Sequence, residues 1–375
     1  MLDKPKVLQA LQKVSETLFL DLSDELSLAQ KVWLEIQNDS TFAYKVQQAH
    51  APWLIPSWFD QLSTTYLIEA QKENYHVLSV DGSQIYPDRH QGTSCYLINL
   101  GSVHIHYNGE RARVNLQSQP HVFVPQNEQE VIESSLDNVN CKRQDFELLD
   151  SYHLIESLAN GADTDHTVLL FDGSLIFWHL EGKEQTMKEE YLNRYILSLY
   201  KIYQTQTLMA GYISMPKSKE LVNLIKLSLS DFDPVNNDNH KKVEHVIDAH
   251  IARYFLPPFH HSIMFKSHSL ITEHYPHILK PYFFYINTGH EIARIEIPQW
   301  IAFNQSHIKK LVSVILDQTQ KGHGYPVCLA EAHEQAVVKG PDREFFYHLI
   351  QKIGFDQQQR LVFSQKSMKK RGIGI

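Results

Sequence analysis

Hydrophobic residues recur every three to four positions near the start of the chain. Val7, Leu8, Leu11, Val14 and Leu18 share one helical face, and Leu28, Ala29, Val32, Trp33 and Ile36 share another, which predicts helices over 4–48. Ala51-Pro52 and Ile55-Pro56 end that pattern. The runs that follow are β-branched and aromatic: HVLSV (76–80), CYLINLGSVHIHY (95–107) and ARVNLQSQPHVFV (112–124), separated by the turn-rich DGSQIYPDRHQG and NGER. Three consecutive strands with short connections predict an antiparallel meander.

The period becomes helical again over 144–160, and TVLLF (167–171) is then a continuous apolar run, as a strand buried on both faces requires. A helix (184–206), a strand (207–215) and a helix (219–229) follow. SDFDPVNNDNH opens an insertion over about 230–300, with a helix expected at 241–254 and strands at 262–266, 282–287 and 290–297. Helices at 305–320, 327–339 and 342–353 precede a basic tail, QKSMKKRGIGI. The chain thus divides into an N-terminal helical segment (1–70), a main α/β domain (71–355) and the tail (356–375). The order β-β-β-α-β-α-β-α is that of the ribonuclease H-like fold, a five-stranded mixed sheet with helices on both faces.

Composition narrows the function. With 43% hydrophobic and 21% charged residues the chain is globular, and 375 residues allow two domains or one large domain with an appendage. The 35 Lys and Arg against 43 Asp and Glu give −8, so any nucleic-acid surface must be a local patch. Three cysteines without a C-x-x-C pair argue for a reducing compartment, hence the cytoplasm, and against a disulfide framework or structural zinc. Charges interrupt the apolar residues of the N-terminus, so neither a leader peptide nor a membrane span is expected.

The candidate chemistry lies in the carboxylates. Asp81 and Asp172 follow apolar runs in VLSVDGSQ and VLLFDGSL, each heading the same Asp-Gly-Ser tripeptide. One such tripeptide is commonly a turn. Two, on strands adjacent in the expected sheet, bring two acids to one edge, with Gly82 and Gly173 allowing a turn and a close approach. Two carboxylates about 4 Å apart repel by ~4 kcal/mol at an effective dielectric of 20, so such a pair calls for a cation. Two ions ~3.5–4 Å apart would stabilise both oxygens of a phosphodiester cleavage. Oxygen ligands without cysteine select Mg²⁺ or Mn²⁺. A third acid is expected on the helix after the meander. Leu148, Tyr152, Ile155 and Ala159 mark its apolar arc, and Glu147 and Glu156 both fall within it while Asp150 does not. Periodicity does not choose between them. His333, in GYPVCLAEAHEQAVV, is the fourth candidate, with Glu331 and Glu334 as alternatives. His104 and His106 share a strand face but, without a third partner nearby, read as surface, and His260-His261 are assigned no functional role.

VDGS (80–83), LLFDGSL (169–175), AGYISMPKS (210–218), ARIEIP (293–298) and KGHGYPVCLAEAHE (321–334), in this order, resemble the NurA nucleases, partners of the HerA hexameric DNA translocase in end resection. The resemblance implies a ribonuclease H-fold, Mn²⁺-dependent DNase, with single-strand endonuclease and 5′ to 3′ exonuclease activity, acting as a homodimer on DNA ends. It implies Asp81, Glu147 and Asp172 as metal-holding acids, Glu147 being the best fit for the helix glutamate, and His333 and Tyr325 as the family's C-terminal histidine and tyrosine. Tyr325, Lys217 and Arg294 lie in matched motifs and are candidates to position the phosphate backbone, with buried structural roles as the alternative for Tyr325 and Arg294. The rival is a catalytically silent subunit that binds DNA or a motor protein. A chain with its own ATPase is excluded by the lack of a G-x-x-x-x-G-K-[ST] loop.

Overall fold

The computed structural model describes residues 2–15, 21–71, 74–88, 94–109, 111–127, 130, 134–159 and 166–356. The basic tail expected at 356–375 lies, past Asp356, outside the described residues. Helices α1 (Lys4–Lys13), α2 (Ser23–Asn38) and α3 (Phe42–Gln48) lead into two short strands, β1 (Ser57–Trp58) and β2 (Thr65–Leu67). The meander is β3 (Tyr75–Ile85), β4 (Tyr96–Asn108) and β5 (Arg111–Phe123). Then come α4 (Leu136–Ala159), β6 (Thr167–Asp172), α5 (Gln185–Gln204), β7 (Leu208–Ile213) and α6 (Glu220–Leu229). The insertion holds α7 (Asp248–Phe255), β8 (His260–Ser262), β9 (Phe265–Lys266), β10 (Pro281–Asn287) and β11 (Ile292–Pro298). Helices α8 (Gln299–Ala302), α9 (Gln305–Lys321), α10 (Val327–Ala336) and α11 (Gly340–Asp356) complete it.

The sheet corrects the expected count: it has eleven strands, not five. Its main path runs β1-β9-β10-β11-β7-β6-β3-β4-β5, with β8 pairing β10 and β2 pairing β8. The five expected strands are contiguous in it, β5, β4 and β3 antiparallel and β3, β6 and β7 parallel. The sheet continues because β7, LMAGYI, would be an apolar edge, and β11 closes it through Arg294↔Ile213, Ile295↔Tyr212 and Glu296↔Gly211.

Three boundaries also differ. Helix α4 starts at Leu136, earlier than expected, because buried Val139 and Cys141 extend its inner face between polar neighbours that hide the period. The helix expected at 241–254 is broken into a 3₁₀ turn (Asp238–Val243) and α7. Asp248 forces the break: fully buried, it accepts from the Val222 amide in the first turn of α6 (2.9 Å) and from the Tyr285 hydroxyl (2.7 Å). Finally, β3 does not end at Asp81 but runs on to Ile85.

Two large cores flank the sheet. One joins β3, β6 and β7 to α4, α5, α9 and α10. The other joins α2 and α3 to α6, α7 and β9–β11, with Trp33 fully buried and stacked on Phe255 at 5.3 Å. The first residues therefore share a core with the insertion. Helix α1 has no buried residue. No described helix is long and apolar enough to cross a membrane, and all three cysteines are free and buried.

Candidate active site

The site begins where two parallel strands part. Pairing between β3 and β6 runs from His76↔Thr167 to Leu78↔Leu169 and stops there. Strand β3 continues beside β4 and β6 continues beside β7, so a fork opens between them. Asp81 and Asp172 are each the third residue past the last pair, and the two-residue strand period points them to the same face. That face carries α10 and the turn before it: His333 Nδ1 lies 2.9 Å from Asp81 Oδ2, and the Tyr325 hydroxyl donates to Asp172. Past Asp172 the chain turns at Gly173, whose φ of +133° is open only to glycine.

Two glycines beside Asp81 let helices approach from both faces. Gly101 lies opposite Asp81 on β4, and a Cβ there would meet the Ala336 nitrogen at 2.3 Å and the Ala332 oxygen at 2.4 Å. The backbone of α10 thus rests directly on the sheet. Its last carbonyls are satisfied by strand side chains, Ser83 Oγ donating to Ala336 O (2.6 Å) and Asn99 Nδ2 to the same oxygen (2.8 Å), which fixes the helix and hence His333. Gly82 serves the other face: a Cβ there would stand 2.6 Å from Glu147 Oε1 and 2.9 Å from Arg143 Cγ, both on α4. Tyr86 and Gln84 tie the start of α4 to the same strand through Asn140, at 2.6 and 3.3 Å.

Glu147 therefore enters beside the two aspartates. Burial pushes its carboxyl up to about 8, Arg143 opposes the shift, and the charges of Asp81 and Asp172 add to it. Asp172 is raised too, by desolvation first and then by Asp81, against the Tyr325 hydrogen bond. Among the described residues, the positive group bonded to Glu147 is the Arg143 guanidinium, whose Nη1 also donates to Gly82 O (2.9 Å) and lies 4.0 Å from Asp81 Oδ1. With that side chain between them, no group of three His, Cys, Asp or Glu among the described residues is arranged to hold a metal ion as it stands. The donor chemistry fits a hard divalent cation all the same: three carboxylates and one imidazole, with every cysteine buried as a free thiol.

A family model described as the NurA domain matches residues 75–338. The chain belongs to the NurA family. The NurA match takes in both glycines and all four side chains of the site, and leaves out α1–α3. Among solved structures the chain is similar to a crystal structure of NurA, at 12% identity and a TM-score of 0.43, over 92% of this chain and 97% of that one. It is similar to NurA with manganese at 12% and 0.39, over 92% and 98%, and to NurA bound to dAMP and manganese at 11% and 0.35, over 90% and 94%. No curated protein matches.

Other expected residues of the NurA domain fall in different places. Glu156 is on the far part of α4, half exposed and bonded by Tyr152 (2.5 Å), away from the fork. Lys217 is exposed on the loop after β7, and Glu334 is paired with Lys339 at 3.5 Å. Arg294 is corrected: at 2% exposure, it is ion-paired to Glu220 and to Glu296 (2.8 Å) inside the protein, where no phosphate reaches it. That buried pairing explains ARIEIP, since Glu296 in turn accepts from Ser174 Oγ (2.6 Å) and the Leu175 amide (2.8 Å) and so braces the turn after Asp172. His104 and His106 do have a third neighbour, His76, which lies 2.8 Å from His104 and stacks on His106. Sequence reading missed Arg143, though its i, i+4 spacing to Glu147 was a usable signal. It also missed Gly101 and Tyr212, on which Tyr325 rests edge-on at 5.6 Å, and these left no signal without the register.

Proposed function

We propose that this NurA-family chain is a metal-dependent deoxyribonuclease that cleaves DNA phosphodiesters with Mn²⁺ or Mg²⁺, as a pair of ions. The observation that carries this reading is the convergence of Asp81 and Asp172 at the β3–β6 fork with Glu147 placed beside them. A cation held there supplies Lewis acidity toward the phosphate and toward an attacking water. The protein's own groups then have distinct tasks. Tyr325 orients the Asp172 carboxylate by its hydrogen bond, and Glu296 holds the turn that follows. His333, with 58% of its side chain exposed, orients Asp81 and faces the open side of the fork, where it can ligate metal or pass a proton to a departing oxygen. Lys217 is exposed beyond β7 to meet the phosphate backbone.

Finer features follow from family membership as part of the same proposal. The five contiguous strands β5-β4-β3-β6-β7 form the ribonuclease H-like part of the sheet. The chain acts in the cytoplasm as a homodimer, with single-strand endonuclease and 5′ to 3′ exonuclease activity, processing DNA ends together with a HerA-like ATPase. One observation favours the silent-subunit reading: Arg143 already neutralises part of the acid cluster, so the acids alone do not demand a metal. Incubating pure protein with labelled single-stranded DNA separates the two. Cleavage with Mn²⁺ that EDTA abolishes is expected, and binding without cleavage in Mn²⁺ and in Mg²⁺ refutes the nuclease reading.

A further inference from the structure

Arg143 stands where a cation is needed. Its Nη1 bonds Glu147 and Gly82 O and faces Asp81, while its Nε is buried without a hydrogen-bond partner. This is a seat that matches charge and leaves a donor unsatisfied. The contrast with Arg294 is instructive. Arg294 keeps only 3% of its side chain exposed between two glutamates, whereas Arg143 keeps 28% and borders the open fork. Gly82 makes room for both the arginine stem and the Glu147 carboxylate. Neighbouring Lys142 points elsewhere, over the Phe123 ring at 3.8 Å.

We propose that Arg143 and the divalent cation are alternative partners of the same acid cluster, Asp81 and Glu147. A divalent cation held there would displace the guanidinium from Glu147 and Asp81, because at a distance of a few ångströms a doubly charged ion repels it about twice as strongly as one carboxylate attracts it. The released side chain turns to the open side of the fork, toward the incoming strand. Arg143 is thus a positioning residue that keeps the metal-free site assembled. The inference rests on the metal-holding reading of Asp81, Glu147 and Asp172.

Two measurements on the full-length chain test it. The first counts free Mn²⁺ by electron paramagnetic resonance during titration of wild type and Arg143→Met. The variant is expected to bind Mn²⁺ about tenfold more tightly, with a lower melting temperature in EDTA and an undiminished one in saturating Mn²⁺. The second needs no variant: phenylglyoxal modification with peptide mapping, using Arg194 on α5 as internal reference. Arg143 is expected to react several-fold faster in Mn²⁺ than in EDTA. Equal or weaker Mn²⁺ binding by a folded Arg143→Met, or unchanged reactivity at Arg143 in a wild type that binds Mn²⁺, overturns the inference alone. A wild type that takes up no Mn²⁺ overturns the metal-holding reading and the inference with it.

Discussion

At the scale of single residues the site is a problem of uncompensated negative charge, and that gives its members opposite signatures. Under the proposed function, Asp81→Asn and Asp172→Asn each remove a metal ligand and a repulsive charge together. Each is expected to abolish cleavage while the metal-free melting temperature matches or exceeds that of wild type, as differential scanning fluorimetry in EDTA will show. An inactive variant that is several degrees less stable in EDTA marks its aspartate as a turn residue instead. Glu147 gives a pH signature. Its carboxyl titrates near about 8 in the folded chain against an ordinary 4.5, so between these values the folded metal-free chain holds a proton that the unfolded chain has lost. Its contribution to metal-free stability is therefore full below about 4.5 and is lost as pH rises through about 8. Metal binding needs the carboxylate, so Mn²⁺ uptake near neutral pH should release a proton that uptake well above pH 8 does not. Calorimetry in buffers of different ionisation enthalpy reads this directly, and proton release that fails to decline with rising pH counts against Glu147 as the ligand. Both aspartates were legible from sequence because each heads a tripeptide after an apolar run. Periodicity did not separate Glu147 from Glu156, since both lie on one helical arc; the resemblance favoured Glu147, and it is Glu147 whose carboxylate lies against Gly82.

At the scale of elements, the site depends on how closely two helices approach one strand, and the two glycines predict different failures. At Gly101 the intruding Cβ would strike the backbone of α10 within 2.4 Å, and backbone has nowhere to yield. Gly101→Ala should destabilise the fold by about 1–3 kcal/mol or more, by denaturant unfolding, as α10 lifts and His333 leaves Asp81. At Gly82 the clash is with the Glu147 carboxylate tip at 2.6 Å and the Arg143 stem at 2.9 Å. Side-chain ends can move. Gly82→Ala should therefore cost less stability than Gly101→Ala but raise the Mn²⁺ concentration needed for half-maximal cleavage, and the reverse ranking would show that α4 is seated by other contacts. Most elements of the meander and the βαβ units were readable from hydrophobic period. Their register was not, so Gly82 read as a turn residue although it lies inside a strand that continues to Ile85. In the insertion β10 and β11 were readable, whereas β8 and β9 are only three and two residues long and the helix break is dictated by a distant buried contact, Asp248 with Val222 and Tyr285.

At the scale of the whole molecule, the proposed function requires a chain of net charge −8 to engage a polyanion. At physiological ionic strength the Debye length is about 8 Å, so remote acids are largely screened and the cations at the fork decide the encounter. Arg143 stands at the fork, held against the acids in the metal-free chain, and Lys217 is exposed on the loop after β7; these two are the proposed phosphate contacts. Neutralising about two phosphates of a single strand gives a slope of roughly −1.4 in log K against log salt. The chain alone should therefore bind single-stranded DNA weakly and with a shallow salt dependence, measurable by fluorescence anisotropy with Asp172→Asn to prevent cleavage. A slope near −4 would require several more phosphate contacts than the fork provides. The basic stretch from Lys366 to Arg371, outside the described residues, is the sequence that could supply them. Repeating the titration without residues 357–375 then decides: a slope restored to the shallow value assigns the extra contacts to the tail, and an unchanged steep slope shows that another basic surface of the domain binds DNA. On the proposed reading it is the weak binding by the chain alone that makes delivery by a HerA-like ATPase the step that sets the rate. Adding a HerA-like hexamer should then raise cleavage most at the higher salt concentrations, where the chain alone has released its substrate.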